Sequence, residues 1–299
     1  MFTFTLPELL QQLANGLTIG CLYALVAIGY TMVYGILKLI NFAHGDLFML
    51  SGIMMIYLAA SFPTMPMWVT ILIMIALTVF VGFAIEKCAY SPLRTAPRMS
   101  VMISAIGVSY LLQNLVCYVT GGLAKQFPDI PLISQSIRVF GVKDKLAVFI
   151  SPLVAVVLMV ILVLIINHTK FGMSMRAVSK DFETAQLMGV KINRVISMTF
   201  IIGSFLAAVG ALLYFAKNTG INHMAGSTPG IKAFIAAVVG GIGSVPGAVV
   251  GALLIGVVES LAKAFGLADF SDVISFALLI IILVIKPTGL FGEKTTEKV

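Results

Sequence analysis

Charged side chains are scarce in this sequence: Asp, Glu, Lys and Arg make up 10% of 299 residues, against about a quarter of an ordinary soluble domain. That scarcity excludes a soluble globular chain. The three cysteines, Cys21, Cys88 and Cys117, lie in or beside apolar runs, without paired spacing or companion histidines. They read as free thiols, which leaves no disulfide framework and no zinc site. The patterns GxxxxGK[ST] and HExxH are both absent, so the chain has no P-loop of its own and no zinc-protease signature. No constellation of nucleophile, base and metal ligand stands out either, which argues against a membrane enzyme. The opening residues MFTFTLPELL lack the cationic start of a cleaved signal peptide, so the first apolar run is expected to be retained.

What the sequence has in abundance is apolar length. Sixty per cent of it is hydrophobic, its mean hydropathy is +1.09, and its net charge of +7 sits mostly in the connectors between apolar runs. Cations so placed suit anionic lipid and give no reason to expect nucleic acid. Runs near the length of a bilayer-crossing helix fall at 9–37, 47–60, 68–85, 102–119, 146–167, 195–215, 233–260 and 273–285. The expectation is an all-α polytopic bundle of about eight spans, one transmembrane domain over residues 1–299. An alternating stretch at 133–140 suggests a short extended piece.

The longest polar island is KFGMSMRAVSKDFETAQLMGVKINR, Lys170 to Arg194. Within it Asp181 suits a helix N-cap, Glu183 the positive first turn and Gly189 a left-handed C-terminal cap, so a helix of about two turns is expected. Phe182, Ala185 and Met188 recur three apart and are expected near one face. So short a helix is marginal alone and must dock on something. Two readings stand: a solvated loop on lipid headgroups, or a docking surface for a soluble partner. If the island and the connector at 86–98 face the cytoplasm, the cation excess lies there and the amino terminus falls outside.

Two further stretches break the helical pattern. INFAHGD, Ile40 to Asp46, separates the first two spans. Its His44 and Asp46 are read as polar residues stabilising a break in preference to metal ligands. The second is AAVVGGIGSVPGAVVGALLIG, with Gly240, Gly241, Gly243, Gly247, Gly251 and Gly256 around Pro246. It reads as a broken or re-entrant helix, or as one helix with a glycine face for close packing, and both place it inside the bundle. Gly16 and Gly20 in the first span form a similar small-residue pair. Lys232 and Glu259, at the ends of the glycine-rich segment, are expected to snorkel to the interface.

At these residues a resemblance becomes visible. NGLTIGCLYALVAIGYTMVYGILKLINFAHGDLFMLSG (15–52), RAVSKDFETAQLMGV (176–190), GIKAFIAAVVGGIGSVPGAVVGALLIG (230–256) and KPTGLFG (286–292) together resemble LivH-type permeases. These are one of two membrane subunits of the high-affinity branched-chain amino acid ABC importer, with urea, short-amide and sugar permeases as wider kin. The resemblance implies a second, LivM-like permease subunit, two cytosolic ATPases that use ATP, a periplasmic binding protein, and a place in the bacterial inner membrane. No cofactor is implied for this chain itself. It also implies a cytoplasmic coupling helix, whose acid, alanine and glycine match Asp181, Ala185 and Gly189, with Phe182 inside it. Asp181 stands where many relatives from other importer families have Glu. The broken regions, through Asn41, His44, Gly240, Gly241, Gly243 and Gly247, together with Asn114, are the candidates for the translocation path. The competing class is a stand-alone secondary carrier, which calls for ionisable groups in mid-membrane.

Overall fold

The computed structural model describes residues 6–94, 96–131, 133–139 and 142–292. Eleven α-helices follow in order: α1 (Leu6–Leu37), α2 (His44–Ser61), α3 (Met67–Ile85), α4 (Arg98–Thr120), α5 (Leu146–His168), α6 (Lys170–Lys180), α7 (Phe182–Leu187), α8 (Ile192–Lys217), α9 (Ser227–Gly240), α10 (Val245–Ala264) and α11 (Ser271–Ile285). Eight helical stretches are long and apolar enough to cross a membrane. The polytopic all-α bundle expected from hydropathy is the observed architecture. Two small antiparallel pairs decorate it: β1 (Lys125–Gln126) with β4 (Gly220–Ile221), and β2 (Ser136–Val139) with β3 (Val142–Lys145). The expected extended piece is thus half of a hairpin. Its Phe140, and the charged tail after Gly292, lie outside the described residues.

α1 is the central helix, packed by α10, α8, α9 and α5, whereas α5 and α11 are the most exposed. Its small residues set the spacing. A Cβ on Gly16 would stand 2.9 Å from the Val257 Cα, one on Gly20 would stand 2.8 Å from the Leu253 Cα, and one on Gly256 would overlap the Gly20 backbone. The two helices therefore touch backbone to backbone, as in other small-residue membrane pairs.

The spans alternate between two ends of the bundle. One end gathers the island, the exit of α1, the connector after α3 and the turn between α9 and α10; we call it the island end. The glycine-rich segment resolves into both arrangements read from sequence. Residues 241–244 break it into the antiparallel hairpin α9–α10, while Gly247 and Gly251 let the two arms touch through the backbones of Gly240 and Ala236. Gly241 turns the chain with φ +108°, a left-handed backbone that any side chain would strain. The segment after α11 then returns to this tip, where Leu290 donates its N–H to the Val239 carbonyl and Phe291 to that of Gly240. The last described residues therefore lie at the island end.

Neither break is a symmetrical gap in a span. α2 begins at His44, so only residues 38–43 are irregular, and Gly45 packs beside the Tyr30 hydroxyl. Tyr30 is seven residues before the end of α1, about 10 Å at 1.5 Å per residue. The chain therefore re-enters the bundle before α2 starts. α9 likewise starts inside, because Gly226 and Gly230 lie against Gly45.

Candidate functional site

The island folds as two helices. α6 is amphipathic: Gly172, Met175 and Val178 are buried, while the cations Lys170, Arg176 and Lys180 lie outward or along its flank. Thr169 caps it, its hydroxyl accepting the Gly172 N–H at 3.1 Å. One residue after α6 ends, Asp181 caps α7, accepting the N–H groups of Glu183 (2.9 Å) and Thr184 (3.1 Å) and the Thr184 hydroxyl (2.6 Å). The Thr184 hydroxyl first, then the Thr184 and Glu183 amides, hold this carboxyl below its ordinary range. The cap is thus intact above the usual carboxylate pKa and is lost only as pH falls through the depressed value. Gly189 ends the element with φ +83°, and Val190 donates back to the Ala185 carbonyl.

The faces of α7 differ from the three-residue spacing in one respect. Ala185 is buried against the chain and Phe182 is partly covered, but Met188 is 80% exposed and Leu187 is 87% exposed. α7 stops at Leu187, so helical periodicity does not reach Met188. Two apolar side chains therefore project from the polar end of the bundle.

A second locus lies inside. A cavity of about 180 Å3 opens between α1, α2, α4 and α9, with Tyr30, Asp46, Ser109, Gln113 and Ser227 as its hydrogen-bonding side chains and Ile40, Phe42, Ile231 and Phe234 as its apolar ones. Asp46 accepts a hydrogen bond from the Gln113 amide at 2.9 Å, and Gln113 also donates to Ser109 at 3.2 Å. The starts of α2 and α9 meet here, and neither has a side-chain cap. Their partial positive ends face the same region as the Asp46 carboxylate.

The path candidates distribute as follows. Asn41 is buried, with its Oδ1 accepting from the Tyr90 hydroxyl at 2.8 Å and its Nδ2 unpaired among the described residues. His44 is buried between Gly29 and Gly203 with its ring edge-on to Tyr30 at 4.9 Å, and its Nε2 is unpaired among the described residues. Asn114 is exposed and bonds its own helix at Tyr110, so it does not join the cavity; its neighbour Gln113 does. Gly240, Gly241, Gly243 and Gly247 form the hairpin tip at the island end. The start of α9 meets the 40–46 break at Gly45, and Ile242 of the tip lines a small cavity with Ile40.

Charge placement also departs from expectation. Lys232 and Glu259 do not snorkel apart. Lys232 pairs with Glu259 (3.0 Å) and Asp272 (2.7 Å), and Glu259 also takes Lys263 (2.6 Å) and the Tyr23 hydroxyl (3.0 Å). Antiparallel packing lets the lysine stem of α9 reach up its neighbour, which a linear reading cannot register. Glu86, fully buried in a π-helical turn (86–90) after α3, is likewise held by Arg94 and by the Ser197 hydroxyl at 2.8 Å.

Residues 12–283 match the family described as the branched-chain amino acid transport system permease component. The chain belongs to this family. Among its relatives, the permease protein LivH of the high-affinity branched-chain amino acid transport system of Salmonella typhimurium (strain LT2) is 39% identical over 303 residues, covering 97% of each chain. BraD, the corresponding permease protein of Pseudomonas aeruginosa, is 41% identical over 311 residues, 98% of this chain and 100% of its own. A solved metal-chelate type ABC transporter in an inward-facing conformation shares the fold, with TM-score 0.51 and 14% identity over 92% of this chain and 85% of that one. Family membership makes the chain a multi-pass transport permease.

Proposed function

We propose that the chain is one membrane subunit of an ATP-driven importer for leucine, isoleucine and valine. A second permease subunit completes the path, a periplasmic binding protein delivers the amino acid, and two cytosolic ATPases dock on residues 170–194. The observation that carries this reading is the self-capped helix α7, with Leu187 and Met188 exposed on the cation-rich end of a chain from this family. Two exposed apolar side chains at the end of a short capped helix suit a groove in a soluble partner, and α6 behind them transmits its movement to α5 and α8. The cation excess at that end points it to the cytoplasm and the amino terminus to the periplasm of the inner membrane. ATP serves the partner subunits, and no cofactor is assigned to this chain.

The cavity at Asp46 suits a zwitterion in transit. The starts of α2 and α9 favour the carboxylate, Asp46 favours the ammonium, and Phe42, Ile231 and Phe234 accept an aliphatic side chain. The same broken backbone lies where a partner subunit or water covers it.

Gentle detergent purification tests the assembly. Recovery with a second permease and two P-loop ATPases, and ATP-dependent leucine uptake into vesicles in the presence of a loaded binding protein, is the expected result. Recovery of the chain alone, still carrying substrate without ATP, overturns it in favour of a secondary carrier. Met188→Asp combined with Leu187→Asp is expected to cut uptake by about a hundredfold by removing a central apolar anchor, while the purified permease keeps its unfolding midpoint. Asp46→Asn is expected to slow uptake about tenfold, the value of one charge-assisted contact, with ATPase recovery unchanged.

A further inference from the structure

At the island end a second cavity, about 250 Å3, lies between α1, α5, α6 and the tip of the α9–α10 hairpin. It is several times the roughly 30 Å3 share of one water. One wall is aliphatic: Met32, Val163, Ile166 and Met175. The other is polar and carries Thr31, Arg176 and Ser244.

Thr31 is the unusual member. It is 1% exposed and its hydroxyl has no hydrogen-bond partner among the described residues. Thr18, Thr78, Thr120 and Thr199 each donate to the carbonyl four residues back, the usual way to satisfy a hydroxyl in an apolar helix. Thr31 forgoes that bond and lines the cavity instead. An unmet buried hydroxyl carries a desolvation cost, which a ligand atom in the cavity would remove.

Arg176 stands on the same cavity. One of its terminal nitrogens donates to the Ile166 carbonyl and, at 3.3 Å, to the Asn167 side chain. No carboxylate pairs with it among the described residues, so the rest of its donor fork is available. The start of α10 completes the polar wall. Ser244 there already takes the Gly247 N–H, and Pro246 has none, which leaves Val245 as the amide donor at the positive end of a helix of 20 residues. The cavity-lining side chains include no Asp or Glu.

We propose that this cavity binds a small monocarboxylate with a branched aliphatic tail. The carboxylate lies between Arg176, the Thr31 hydroxyl and the start of α10, and the tail lies on Met32, Val163, Ile166 and Met175. A free branched-chain amino acid and its deaminated 2-oxo acid share this chemistry. The site depends on the importer reading only for the class of tail, and it is distinct from the cavity at Asp46.

Equilibrium dialysis of the full chain in lipid nanodiscs tests it, with labelled leucine and labelled 4-methyl-2-oxopentanoate in separate arms. The Asp46→Asn background weakens the inner cavity's own contribution, and the Arg176 and Thr31 variants assign what remains. Saturable binding in either arm is expected and names the source. Arg176→Gln should weaken it about tenfold or more and Thr31→Val about fivefold, and leucinol, which lacks the carboxylate, should not compete. Thr31→Val is isosteric and carries the test if the arginine variant fails to fold. Absence of saturable binding in both arms, equal affinity in the variants, or competition by leucinol overturns the site. Binding without ATP-dependent import leaves the site standing and removes only the importer reading.

Discussion

Lys232→Met is expected to destabilise the chain by about 3–5 kcal/mol, the cost of breaking a buried ion pair from one side. In the native chain Lys232 and Lys263 face Glu259 and Asp272, two cations against two carboxylates, and the Tyr23 hydroxyl adds a further bond to Glu259. Without Lys232, Glu259 stays buried with a single cation, while Asp272, whose side chain is 53% exposed, regains water. The loss should therefore fall mainly on Glu259. The double variant Lys232→Met with Glu259→Gln should recover part of it, because the uncompensated charge is gone. Asp272→Asn should cost less than about 1 kcal/mol, as for an exposed pair. Denaturant unfolding of the detergent-purified chain measures all three. A single lysine variant within 1 kcal/mol of wild type would show that the cluster is solvated, contrary to its burial.

The second large effect is at the contact between α1 and α10. Gly256→Leu should abolish recovery of folded protein, because its side chain would have to occupy the position of the Gly20 backbone. Overpacking against movable side chains costs about 1–3 kcal/mol. Here the obstacle is the main chain of the central helix, so relief requires separating two spans. Gly107 supplies the control. It lies in α4, and a Cβ there meets nothing within 4 Å, so Gly107→Ala should be neutral or stabilise by about 0.5–1 kcal/mol. Yield of monodisperse protein, followed by unfolding, separates the two. Normal recovery of Gly256→Leu would mean that the two helices are not in backbone contact.

The eight spans were legible because a bilayer-length apolar run is a strong one-dimensional signal. α7 was legible because its signals are local: Asp181 at the N-cap and Gly189 after the end. α6 is marked only by Gly172, Met175 and Val178 recurring three apart on one face, within a segment otherwise rich in cations. That Gln113 lines the cavity while the expected Asn114 does not shows a deeper limit. In a membrane helix, lipid and protein interior are equally apolar, so periodicity does not say which polar residue turns inward. The ion cluster joins Tyr23, Lys232, Glu259 and Asp272 from four helices, and no local pattern announces a pairing across such separations. The starting depth of α2 and α9 was hidden for the same reason, since only the meeting of Gly45 with Gly226 and Gly230 fixes it.

The bond between the 290–291 segment and the hairpin tip bears on how the chain assembles. Chains are threaded into the bilayer from the amino terminus, so the tip at 241–244 is made well before Leu290 and Phe291, which take up the carbonyls of Val239 and Gly240. Until α11 has crossed, those carbonyls have no such partner. The hairpin is therefore latched last, and a ribosome stalled inside α11 should leave a nascent chain whose tip is open to proteases or to a thiol probe placed at Ser244.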